Sequence, residues 1–246
     1  EYLPGKKVAV LYQNDDFGWD ELAGLKNGLD PGKNELVSEQ SYETFAVDIR
    51  PQVTNLKDAG AEVVLLASTP GFVAQAVKQG DRLGWYPQFL VSYVSSDPIM
   101  FQFAPPELME GVISLQANKL SDWTDDPAVA EHHRIMSEYG GPTPSNFSIV
   151  GHSAGALTVE ALSRTCDSLT REGLMDAVHS LKDYQADLTL PGITITLSQT
   201  DHLAIEQVRM LRAVVLEGEG KWEYFGPIFS FSSDWDGFSE AVDLSY

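Results

Sequence analysis

The chain has 246 residues, with 36 acidic side chains against 16 basic ones and a formal net charge of −20 at pH 7. That balance repels phosphate backbones and anionic bilayers, so nucleic acid is disfavoured as a partner and the acidity reads as a solvated surface. Hydrophobic content of 43% with 21% charged residues describes an ordinary folded protein with one sizeable core or two modest ones, and no apolar run is long enough to span a bilayer.

Residues 8–11, Val-Ala-Val-Leu, form a short β-branched apolar run that predicts a strand buried on both faces. A polar loop, 13–16, leads into an amphipathic helix from about Phe17 to Leu29. Trp19, Leu22, Leu25 and Leu29 recur at helical spacing, with Asp20 and Glu21 in the first turn, opposing the helix dipole. A turn at Pro31 and Gly32 precedes a second strand over 35–42. Asp48 is placed to cap a helix over 49–59 that stops at Gly60, with Val53 and Leu56 on one face. Strands over 62–67, 88–91 and 111–115 and a helix over 72–83 complete an alternation that argues for a doubly wound parallel α/β sheet with right-handed crossovers from about residue 5 to 115.

The polar segment 117–126 reads as a crossing to another lobe. Helices are expected over 127–138, 145–164 and from Thr170, as cap, to about 180; strands are expected over 190–195, 207–215 and 221–225. Cys166 is the only cysteine, which excludes an internal disulfide.

Three loops end parallel strands at one edge: 14–18, 68–71 and 92–96. They direct Phe17, Ser68, Thr69, Ser92, Tyr93 and Ser95 towards one crevice. An aromatic platform with small hydroxyls and exposed amides suits a small polar or carboxylated ligand, although Ser, Thr and Gly are also ordinary turn formers.

The stretch VAVLYQNDDFGWDELAGLKNGL resembles the opening of the second lobe in type I periplasmic binding proteins of the branched-chain amino-acid (Leu/Ile/Val) subfamily, the solute receptors of ABC transporters. The resemblance continues through SYETFAVDIRPQVTNLKDAGAEVVLLASTPGFVAQAVKQGDRLGWYPQFLVSYVSSDP and returns in CDSLTREGLMDAVHSLKDY and LPGITITLSQTDHLAIEQVRMLRAV. It implies a type I binding-protein fold lacking most of its first lobe, whether as a fragment or as a naturally short relative. Residues 1–118 would form the second lobe, 119–190 a mainly helical part of the first lobe, and 191–246 returning strands and a tail. It also implies a non-enzymatic receptor without cofactor or metal, capturing a small amino-acid-like or carboxylate ligand between two lobes. Its partner would be an ABC permease in the membrane, and its location periplasmic or extracellular, lipid-anchored in a full-length precursor.

Carried over residue by residue, Phe17 stands where the family offers an aromatic residue, without a tyrosine's hydroxyl, while Thr69 and Tyr93 occupy the second and third loops. The third region should supply an acid for a ligand ammonium, yet no Asp or Glu lies between Phe89 and Ser96. A buried ammonium without a carboxylate is unfavourable, so an aromatic or other small carboxylate suits the site as well as an α-amino acid.

A competing motif is Gly151-His152-Ser153-Ala154-Gly155, the G-x-S-x-G form of a hydrolase nucleophile elbow. It requires a strand at 147–150, a helix at 156–162, an acid from Asp167, Asp176 or Asp201, and His179 or His202 as base. Against it, no oxyanion loop precedes the motif, and the binding-protein alternative makes this a helix whose small residues allow close packing. A standalone regulatory or interaction lobe is the third alternative. His132 and His133 point about 100° apart on a helix and read as a solvated face. Asp234-Trp235-Asp236-Gly237 lacks the terminal acid of a calcium loop.

Overall fold

The apolar run near the amino end forms the centre of a sheet. In the computed structural model, which describes residues 3–165, 168–231 and 239–242, β1 (Lys7–Gln13) pairs in parallel with β2 (Glu35–Tyr42) on one side and β3 (Val63–Ala67) on the other. Sandwiched this way, Val8, Ala9, Val10 and Leu11 are all buried, which explains why the run is apolar at every position rather than alternating. Each such Val or Leu contributes roughly 1.5–3 kcal/mol by leaving water. β4 (Gln88–Val91) pairs in parallel with β3, and β5 (Ile113–Gln116) with β4.

Helix α1 (Asp16–Gly28) follows β1, α2 (Arg50–Asp58) follows β2, and α3 (Pro70–Arg82) follows β3. The strand order starts β2-β1-β3-β4-β5. The chain therefore moves one way from β1 to β2 and the other way from β2 onward. Right-handed crossovers then put α1 on one face and α2 and α3 on the other, and α2 packs on α3. The reversal leaves a crevice at the carboxyl ends of β1 and β3.

Boundaries differ from expectation in small ways with local causes. Asp48 sits one residue outside the cap of α2: Ile49 is the N-cap, and the Asp48 carboxylate accepts from the Arg50 amide at 3.0 Å and clasps its guanidinium. That guanidinium holds the Asp48 carboxyl down to about 2. Helix α3 begins two residues earlier than expected because Pro70, with its fixed φ, starts its first turn.

The chain divides into two units. The first is Glu1–Leu115 with Leu211–Phe225, the second Gln116–Met210 with Gly226–Tyr246. Within the first, α4 (Met100–Phe103) and α5 (Pro106–Met109) bury Met100 and Met109. Strands β6 (Gln207–Leu216) and β7 (Glu219–Ser230) follow β5 in the sheet order. In this unit the Ala213 amide donates to the Val112 carbonyl at 2.8 Å. Trp222 lies buried against Phe101 and donates to the Asp97 carbonyl at 3.3 Å.

The second unit holds α6 (Pro127–Glu138), α7 (Asn146–Ser163) and α8 (Arg171–His179), capped by Asp126, Ser145 and Thr170 respectively. The strand expected over 190–195 reduces to one antiparallel bridge, Tyr184 to Ile195. Its apolar residues instead enter a local core, where Ile195 packs with Leu181, Ala186 and Leu197. A short strand beyond the expected elements, β8 (Ser239–Val242), pairs antiparallel with the end of β7. Cys166, Asp167 and the 234–237 segment lie outside the described residues.

Candidate functional site

The carboxyl edge of β1, β3 and β4 in the first unit is where the six sequence-selected residues fall. Register pairs Tyr12 with Ala67 and Leu66 with Val91, so the three loops that follow leave the sheet side by side, about 4.8 Å apart per strand.

The first loop is held by its own polar atoms. Asp15 caps α1, accepting from the Gly18 amide at 3.2 Å, and its other carboxylate oxygen accepts from the Gln13 side chain. The Asn14 amide donates to the Tyr42 carbonyl at 2.8 Å. Gly18 is required by a close approach: a Cβ built there would lie 1.9 Å from the Gln13 carbonyl oxygen. This contact explains the aspartate-aromatic-glycine turn, which puts partly buried Phe17 in the first turn of α1. Trp19 is 51% exposed, its indole donating to Asn14.

In the second loop Ser68 is fully buried. Its hydroxyl donates to the Leu11 carbonyl at 3.4 Å, and its own carbonyl accepts from the Ser95 hydroxyl at 2.7 Å. Thr69 occupies the N-cap of α3, but its side chain makes no cap hydrogen bond. The next amide belongs to exposed Gly71, where an added Cβ would meet nothing within 4 Å. The positive end of the 13-residue α3 thus lies at the carboxyl end of β3. Behind this loop, buried Tyr42 packs against Phe72, ring centroids 4.2 Å apart and tilted by 38°, and donates to Gln13. Burial pushes its phenol up, opposed by hydrogen bonding with Ser68 and Thr69.

The third loop is a 3-10 turn, Tyr93–Ser95. Tyr93 is 49% exposed, whereas Ser92 and Ser95 are buried. The Ser92 hydroxyl donates to Glu21 Oε1 at 2.8 Å. Burial pushes the Glu21 carboxyl up, the Ser92 hydrogen bond opposes that, and neighbouring Asp20 adds to it.

The six residues therefore separate into two layers. Phe17, Thr69 and Tyr93 retain accessible surface, while Ser68, Ser92 and Ser95 are buried and turn their hydroxyls to a carbonyl, a carboxylate and a carbonyl. Glu21 was not among the residues singled out from sequence for this edge. The available signal was its place four residues after Phe17, which puts both on one helix face.

The G-x-S-x-G motif takes a different form from a nucleophile elbow. Residues 147–150 are helical, not extended, and Ser153 lies in the middle of 18-residue α7, with no strand-to-helix turn to strain and expose it. Its hydroxyl is buried and, among the described residues, has no hydrogen-bond partner. Nor does close packing account for the glycines, since a Cβ on Gly151 or Gly155 would meet nothing within 4 Å.

Ser153 and His152 line a hollow of about 480 Å³ within the second unit, along with Lys119, Asp126 and Glu131. His132 is not solvated: it is 1% exposed, bonded to Ser148 at 2.8 Å and to His152 at 3.1 Å, because α7 covers its face of α6. His133, one residue on, turns instead to the Ser121 carbonyl at 2.7 Å.

A family model described as periplasmic binding protein matches residues 2–220. A Leu/Ile/Val-binding protein homolog 7 of Brucella abortus is 25% identical over 166 residues, 64% of this chain and 41% of that relative. The chain thus spans about two fifths of the length of the curated relatives it matches. Among solved structures, a branched chain amino acid ABC transporter protein from Thermus thermophilus with bound valine aligns with TM-score 0.76 at 22% identity, covering 91% of this chain and 61% of that one. A fatty acid ABC transporter substrate-binding protein from Thermomonospora curvata aligns with TM-score 0.73 at 22% identity, covering 90% and 58%.

Proposed function

The chain belongs to the periplasmic binding protein family, and on that premise we propose that it is the ligand-capturing part of an extracytoplasmic solute receptor serving an ABC importer. The ligand is a small amino-acid-like molecule or carboxylate, aromatic or aliphatic, held at the carboxyl edge of β1, β3 and β4. One observation carries this reading: at the crevice between β1 and β3, Phe17, Thr69 and Tyr93 stand accessible over a buried layer of serines that fixes the loops. The three outer side chains contact the ligand, and Ser68, Ser92 and Ser95 hold the backbone that carries them. The amino end of α3, which follows Thr69, suits a carboxylate.

No covalent step is involved. Capture between two lobes is a population shift towards a closed form, driven by the ligand's higher affinity for that form, and the membrane permease reads the closed form. The test is native mass spectrometry of the purified protein, followed by denaturation. A small carboxylate or amino acid released on denaturation, or retained after addition, supports the reading. A chain that holds no such molecule at millimolar concentrations overturns it.

A further inference from the structure

We propose that His179 and His202, both in the second unit, form a bidentate site for a divalent transition ion of the class that favours imidazole ligands, with water completing its coordination. Their Nε2 atoms lie 3.2 Å apart at the surface. The ring planes differ by 4° and the ring centroids are 5.3 Å apart, so the imidazoles meet end to end, nitrogen to nitrogen. Zinc–imidazole bonds of about 2.0–2.1 Å at a tetrahedral angle put two ligand nitrogens roughly 3.3–3.4 Å apart. The pair reaches that spacing by opening roughly 0.1–0.2 Å and tilting both rings towards the ion. The donor ring moves its proton from Nε2 to Nδ1, and two neutral imidazoles then each offer a bare Nε2.

Each ring is held by its own element. His179 lies in the last turn of α8, near the negative end of the helix dipole, which favours a cation. His202 follows a pinned turn: the Ser198 hydroxyl accepts from the Thr200 and Asp201 amides at 3.3 and 3.0 Å, and Asp201 Oδ1 accepts from the Leu203 amide at 3.0 Å. Glu172 and Asp176, earlier on α8, line a hollow with His179 and Gln199. They outnumber its one cationic side chain, Arg171, and so draw cations towards the pair. Among the described residues no third His, Cys, Asp or Glu completes a metal-binding group with them. The remaining positions therefore fall to water, and the ion exchanges readily. Imidazole nitrogen selects zinc, copper or nickel over magnesium or calcium. The other close histidine pair is closed to a hydrated ion, because His132, whose Nδ1 lies 3.1 Å from that of His152, is 1% exposed.

The test is an amide chemical-shift titration of the untagged 246-residue chain with zinc chloride, and separately with magnesium chloride, alongside urea unfolding in each salt. Zinc should saturate shifts at residues 176–180 and 199–203 and raise the urea midpoint, since it binds the assembled pair of the folded chain; magnesium should do neither. His179→Gln and His202→Gln should each weaken zinc at least about tenfold, whereas His133→Gln should keep the wild-type affinity. The shift map is read on the wild type, so it decides even where a variant is less stable. No saturation at millimolar zinc, shifts centred on His132 and His152, an equal response to magnesium, or full affinity in either single variant overturns the site. None of these results bears on solute capture at the first unit, which uses other residues.

Discussion

Two glycines of α1 should respond to the same substitution with opposite signs. Gly24 is exposed in the helix interior, and a Cβ there meets nothing within 4 Å. Gly24→Ala should therefore stabilise the chain by about 0.5–1 kcal/mol, the usual gain from restricting the unfolded backbone. At Gly18 the added carbon lies 1.9 Å from the Gln13 carbonyl oxygen and 2.8 Å from that residue's carbonyl carbon and amide nitrogen. To reach ordinary contact, from 3.4 Å upward, the helix start must withdraw by roughly 1.5 Å, in the way overpacking displaces a backbone. That movement breaks the Asp15 cap on Gly18 and the Trp19-to-Asp15 turn bond, and a lost cap alone is worth about 0.5–2 kcal/mol. Gly18→Ala should destabilise by about 1–3 kcal/mol net, about 1.5–4 kcal/mol away from Gly24→Ala. Urea unfolding followed by tryptophan fluorescence gives both midpoints with a common slope. If Gly18→Ala is as stable as Gly24→Ala, the claim that a close backbone approach sets the first loop is refuted.

Removing the Ser95 hydroxyl leaves the fully buried Ser68 carbonyl without that donor, so Ser95→Ala should cost about 1–3 kcal/mol in the same assay; an unchanged midpoint would deny the buried serines a bracing role. Burial holds the Glu21 carboxyl above its ordinary 4.5, so the folded state binds this proton more tightly than the unfolded one. The stability it contributes is complete below that unfolded value and is lost as pH rises through the raised folded value. Glu21→Gln should consequently gain on the wild type between about pH 4 and pH 7, and urea midpoints that keep a constant difference across this window would contradict the sign. His132 runs the other way. Desolvation, with His152 and His133 nearby, holds it below its ordinary 6.5, so its contribution is present above that value and lost on acidification. Wild-type stability should fall more steeply than that of His132→Gln from about pH 6.5 to pH 5, and parallel curves would show that the buried imidazole does not matter.

Much of the first unit was legible because its signals are local. An apolar run at 8–11 rich in β-branched residues and flanked by polar ones reads as a strand covered on both faces, and β2, β4 and α6 fall on the expected residues. The segment 190–195 failed as a strand because its Ile193 and Ile195 are buried by a loop cluster rather than by a ladder, and apolar content alone does not distinguish the two. At the motif 151–155 the sequence pattern matched an elbow, but the helix cap at Ser145 starts α7 before it and the pattern runs through a continuous helix. His132 shows the limit of spacing arguments: adjacent helix positions diverge, so one histidine faces α7 while the next bonds the Ser121 carbonyl. Glu21 is the same lesson at the candidate site. Its meeting with Ser92 depends on the strand order that sets β3 and then β4 beside β1, which its place one helical turn after Phe17 does not specify.

The most direct test of the account is a map of backbone-amide shifts as a bound amino acid or carboxylate is added to the isotope-labelled chain. The account predicts perturbations concentrated at residues 14–18, 21, 68–71 and 92–95, saturating together. Saturable shifts centred instead on His152 and Ser153 in the second unit, or no saturable shifts at all, would contradict it.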